Sequence, residues 1–152
     1  MAKFIYRMQN ILNIKMRLES QAKTEYADAA GRLAVEEDRM KELLLRRRRY
    51  ENEARQNVTE KLNIQEMRHC NDSIKVMKEL IKQQAVRIRI AQKNLDKARE
   101  KLNLAMQERK IHEKLKEKAF DEFKLELNNQ EKKEIDEVVS FNYNDNNMET
   151  GE

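Results

Sequence analysis

His69, Cys70 and His112 are the side chains of this chain best suited to hold a metal or attack an electrophile. Thiolate and imidazole bind zinc when four ligands converge, and a thiolate beside a base is a nucleophile. His69 and Cys70 are neighbours, so on a helix they point about 100° apart. No second cysteine and no nearby histidine completes a set. One cysteine excludes an internal disulfide framework and suits a reducing compartment. Carboxylates are abundant, 28 Asp and Glu against 32 Lys and Arg. Acid–base catalysis, however, needs surroundings that desolvate or couple them. Phosphate-binding glycine loops, nucleophile elbows and paired-histidine helices are absent from the sequence. Arg46-Arg47-Arg48-Arg49 is the densest charge run. Four successive helical residues surround the axis and cannot all serve one groove. They form either a solvated face partnered by Glu42, Glu51 and Glu53, or a dock for an acidic protein surface or lipid headgroups. Nucleic acid is not expected, because the net charge is only +4 and no aromatic stacking platform is visible. The expectation is a chain with no catalytic residue, no cofactor and no metal.

What must carry these side chains is helix. From Met67 to Ala105 a repeat steps by 3 and 4: Met67, Cys70, Ile74, Met77, Ile81, Gln84, Ile88, Ala91, Leu95, Ala98, Leu102 and Ala105. That spacing averages 3.5 residues, the period of a helix whose stripe faces another helix throughout. Cys70 lies on the stripe and reads as a small buried hydrophobe, and His112 continues it. Gln84, its one polar member, is placed to fix register. The chain has no Pro, no Trp, 2 Gly, 39% charged and 5% aromatic residues. Such a chain builds helices rather than a thick globular core or a concave catalytic pocket. No apolar run approaches the ~20 residues that span a bilayer. The N-terminus lacks the pattern of a signal peptide.

The expected fold is all-α: a long two-helix antiparallel coiled-coil hairpin with a disordered C-terminal tail. The helices are expected at 3–57 and 64–138, with a turn at 58–63 and a disordered, Asn-rich tail at 139–152. Asn63-Ile64-Gln65-Glu66 has the form of a capping box. A hairpin centred near residue 60 makes facing residue numbers sum to about 120, so that Ala98 meets Ala22 and Leu102 meets Leu18. Small then faces small, and large faces large. Gly31 either permits a close helix approach or is incidental. At ~1.5 Å per residue the first helix is about 80 Å long and the second about 110 Å. Residues 118–138 therefore project without a partner, still carrying Ala119, Phe120, Phe123, Leu125, Leu127, Ile135 and Val138. Apolar side chains on an unpaired helix suit a binding partner, or else mark fraying or self-association.

The two ends are more specific. Phe4 to Lys15 (FIYRMQNILNIK) resembles the start of the FliJ family of flagellar export proteins. Glu108 to Lys118 (ERKIHEKLKEK), followed by Glu131 to Glu137 (EKKEIDE), resembles that family's terminal signature. The resemblance covers about residues 1–138. It implies a non-enzymatic component of the flagellar type III export apparatus, similar to the central stalk of rotary ATP synthases. It further implies that the end bearing both termini enters the hexameric export ATPase ring, through Phe4, Met8, Ile11, Phe120, Phe123 and Leu127. The turn-proximal half would reach the large subunit of the membrane export gate through Leu43, Tyr50 and Met77, although the arginine run departs from the neutral residues expected there. Substrate chaperones are further implied partners, and the implied location is cytoplasmic, peripheral at the membrane through the gate alone. The alternatives are a coiled-coil scaffold, or the stalk or chaperone of another type III secretion system. A third is a basic helical nucleic-acid binder.

Overall fold

A computed structural model describes residues 2–60, 63–149 and 151. It holds two long helices packed against each other, α1 (Gln9–Glu60) and α2 (Ile64–Glu149). No strand occurs among the described residues. The fold is the all-α helical hairpin that the repeat predicts. The expected turn at 58–63 falls partly on α1, which runs to Glu60, and partly on Lys61 and Leu62, which lie outside the described residues. α2 begins at Ile64. Asn63 Oδ1 accepts a hydrogen bond from Gln65 N at 3.2 Å, and Asn63 O accepts the first helical bond from Met67 N at 3.0 Å. Asn63 is thus the N-cap, satisfying amides that the helix leaves open.

The chain divides into two units, Met1–Leu18 with Met106–Glu152, and Glu19–Ala105. In the second unit the shielded positions step by 3 and 4 along both helices, from Glu19 to Asn57 and from Met67 to Ala105. Ala22 is 1% exposed, and Cys70, Met77, Gln84 and Ala91 are buried at intervals of seven. In the first unit Leu12 is the most enclosed large side chain at 1% exposure. Burying one leucine contributes about 1.5–3 kcal/mol. Arg109, His112, Lys116, Ala119, Phe123 and Leu127 extend α2's shielded stripe there.

The helices are antiparallel, but their register differs from the expected one. In the Glu19–Ala105 unit the Gln84 side-chain amide donates to Glu36 O at 2.9 Å and to the Glu36 carboxylate. Lys101 donates to Glu25 at 2.8 Å, and Asn57 donates to Cys70 Sγ at 3.8 Å. These partner numbers sum to 120, 126 and 127. Within the first unit Lys15–Glu108 sums to 123 and Phe4–Phe120 to 124. The centre is therefore about one helical turn above 120. At a sum of 124, Ala22 falls opposite Leu102, and Ala91 opposite Leu33. Large faces small in each layer, which keeps layer volume even and fills the seam.

Two boundaries and the role of Gly31 also differ. Residues 2–6 are not helical, and α1 begins at Gln9 rather than residue 3. Phe4 instead folds onto α2. α2 continues past residue 138 to Glu149, and every described residue from 128 onward is exposed. Gly31 is exposed, and a methyl group there would meet nothing within 4 Å. It therefore mediates no close approach.

Candidate functional site

The first unit gathers four of the chain's eight aromatic residues, Phe4, Tyr6, Phe120 and Phe123, into a cluster. Phe4 meets Phe120 edge-on, with centroids 5.2 Å apart and planes at 66°. It meets Phe123 at 5.4 Å and 47°, and stacks with Tyr6 at 6.4 Å. Lys124 Nζ lies 4.6 Å from the Phe120 ring centroid, in the range of a cation–π contact. Local geometry explains the fold-back. Tyr6 O accepts from Gln9 N at 3.2 Å, forming the turn that leads into α1. The segment before it is then free to cross onto α2, where two phenylalanines three residues apart share a face.

Of the six residues expected at this end, the fold unites Phe4, Phe120 and Phe123. Met8 and Ile11 are exposed around the start of α1, and Leu127 is half-buried. The expected overhang from residue 118 is corrected by these contacts. Phe4 of the N-terminal segment packs against Phe120 and Phe123, and every described residue after Leu127 is exposed. Counting helix against helix missed this, because a non-helical segment reaches farther per residue than a helix does. The bare part carries Ile135, Val138 and Val139 together, flanked by Glu131 and Glu134. Their i, i+3, i+4 spacing was legible in sequence as far as Val138, whereas Val139 fell in the expected tail.

Electrostatics in this unit are local. Lys15 Nζ lies 2.7 Å from Glu108 Oε2. The hydrogen bond and charge of Lys15 hold the Glu108 carboxyl below the usual carboxylate range. His112, one turn on, is half-buried on the seam, and its Nδ1 has no hydrogen-bond partner.

In the Glu19–Ala105 unit, Leu43 and Tyr50 are half-buried at seam positions of α1, and Met77 is 8% exposed within the seam. Arg47 lies half-buried and bonds Glu51 at 3.1 Å, while Arg46, Arg48 and Arg49 are exposed. The run thus divides between one packed member and three solvated ones. Among the described residues no helix is long and apolar enough to cross a membrane. The arrangement offers apolar and charged helix faces to other macromolecules.

No curated protein and no solved structure matches the chain. The profile of the family described as "Flagellar FliJ protein" matches residues 4–148. It takes in the aromatic cluster, both helices and nearly all of the bare end of α2. The chain belongs to the FliJ family and is a component of the flagellar protein export apparatus.

Proposed function

We propose that the chain is a non-enzymatic stalk and adaptor that couples the hexameric export ATPase to the large subunit of the membrane export gate. In this reading it also assists in handling substrate chaperones, and works at the cytoplasmic face of the membrane in flagellum biogenesis and motility. The observation that carries the reading is the first unit itself. It holds the packed Phe4–Phe120–Phe123 cluster and, beyond Leu127, a helix whose apolar face is exposed among the described residues. A rigid aromatic base with a bare amphipathic helix is a helix-in-groove ligand, anchored at i, i+3 and i+4 positions. Phe120, Met8 and Ile11 keep exposed surface beside the cluster and extend that ligand. Leu43 and Tyr50, half-buried in the other unit, and the buried Met77 are assigned to the gate.

The test is binding of the purified chain to the ATPase hexamer by analytical ultracentrifugation. A chain cut after Gln130 keeps the aromatic cluster and should lose most ring binding. Phe120→Ala with Phe123→Ala should weaken both ring binding and the packing of residues 2–8. Full affinity in both variants would remove the ring assignment. For the gate, Leu43→Ala with Tyr50→Ala should weaken binding to the gate's large subunit, with unchanged helicity.

A further inference from the structure

Basic charge is concentrated in the Glu19–Ala105 unit. Residues 39–49 and 78–93 carry 11 Lys and Arg against 2 Asp and Glu, a net of +9 in a chain whose total is +4. The rest of the chain is therefore net −5. Part of this charge borders one groove, lined by Arg39, Glu42, Leu43 and Arg46 of α1 and by Leu80, Gln83, Gln84 and Arg87 of α2, with Glu42 as its one carboxylate. Arg39 bonds Glu36 at 3.2 Å. Arg46 and Arg87, one from each helix, have no acidic partner among the described residues. Leu80 is 36% exposed, and Leu43 is half-buried. Two unpaired guanidiniums thus flank an apolar strip.

We infer that this groove docks a carboxylate-rich segment of a partner protein, with an apolar side chain of that segment seated on Leu43 and Leu80. The chemistry selects the occupant. A guanidinium presents a planar fork that matches a carboxylate bidentately, and it is weakly hydrated enough to do so beside apolar surface. Arginines on opposite sides of a strip suit carboxylates flanking one apolar residue, whereas a planar bilayer meets only the outermost side chains of a groove. Leu43 is also one of the residues assigned to the gate. The inference therefore rests on the reading of this face as a docking face, and adds the chemistry of what docks.

The probe is a fluorescein-labelled peptide of repeated Glu-Glu-Leu-Asp units, titrated with the full chain by fluorescence anisotropy. Its Gln/Asn counterpart serves as the control. The acidic peptide should bind and the control should not, and added salt should weaken binding, as it does for exposed charge pairs. Arg46→Glu with Arg87→Glu should weaken binding by about tenfold or more, since close charges are reversed. Arg48→Glu with Arg89→Glu makes the same change in net charge outside the groove and should cost much less. If the first pair unfolds the chain, Arg46→Gln with Arg87→Gln makes the same comparison. Equal losses from both pairs would show diffuse attraction and overturn the groove. So would absence of peptide binding at low salt, or capture by phosphatidylglycerol vesicles or duplex DNA in place of the peptide. The gate measurement separates the two readings. Peptide binding with gate affinity unmoved by Leu43→Ala and Tyr50→Ala keeps the groove and removes the gate. Loss of gate affinity without peptide binding does the reverse.

Discussion

Lys15 and Glu108 are 93 residues apart in the chain, and their side chains meet at 2.7 Å. Because Lys15 lowers the carboxyl's pKa in the folded state, the pair's contribution is complete above the ordinary carboxylate range. It is lost as pH falls through the depressed value. Lys15→Gln should therefore raise the Glu108 titration midpoint, measured by carboxyl-carbon NMR. An unmoved midpoint would deny the contact. Gly31 yields an opposite kind of prediction. It is helical, exposed, without positive φ, and faces open space. Gly31→Ala should stabilise the fold by about 0.5–1 kcal/mol, read from urea denaturation, because alanine costs less backbone entropy in a helix and meets no clash here. The residue's identity was plain in the sequence, but whether it faced a neighbour or solvent was not.

At the scale of the helices, register is the property to test. Cysteines introduced as Ala22→Cys and Leu102→Cys, in a Cys70→Ser background, should crosslink within one chain faster than Ala22→Cys with Ala98→Cys. The reverse order would restore the sum of 120. Ala22, 1% exposed, should also resist enlargement. Ala22→Leu should cost roughly 1–3 kcal/mol by overpacking. The Gln84–Glu36 contact, whose numbers sum to 120, adds a polar layer to the seam that keeps a buried amide satisfied. Gln84 could be picked out by eye as the one polar residue in its stripe. Its partner Glu36 is the residue that a sum of 120 places opposite it.

For the whole molecule, the described residues fall into those held by a partner helix and those held by nothing but their own helix. No described residue from 128 onward is buried. A chain cut after Leu127 should therefore keep its melting midpoint within roughly 2 °C while losing helical circular dichroism, since thermal stability follows buried surface. A large drop in melting temperature would show a hidden contact. The Asn-rich composition of 139–152 predicts disorder, and in the structure helix continues to Glu149 with its described residues exposed. An isolated helix of that length is marginal in water, so partner contact rather than propensity decides its state.

The 3–4 stripe from Met67 to Ala105, the Asn63 cap and the scarcity of Pro and Gly determined by themselves that this chain is two helices and which face of each is shielded. Periodicity is a local property, and every residue reports it independently. The end motifs were enough to suggest the family that the profile over residues 4–148 establishes. Tertiary structure alone decided the register, the return of Phe4 onto Phe120 and Phe123, and the groove that brings Arg46 and Arg87 beside Leu43 and Leu80. A shift by one helical turn keeps every apolar residue on its own stripe, so a heptad pattern is nearly blind to it. Only the fit of large against small side chains, and the polar groups that must be satisfied, separates one register from the next.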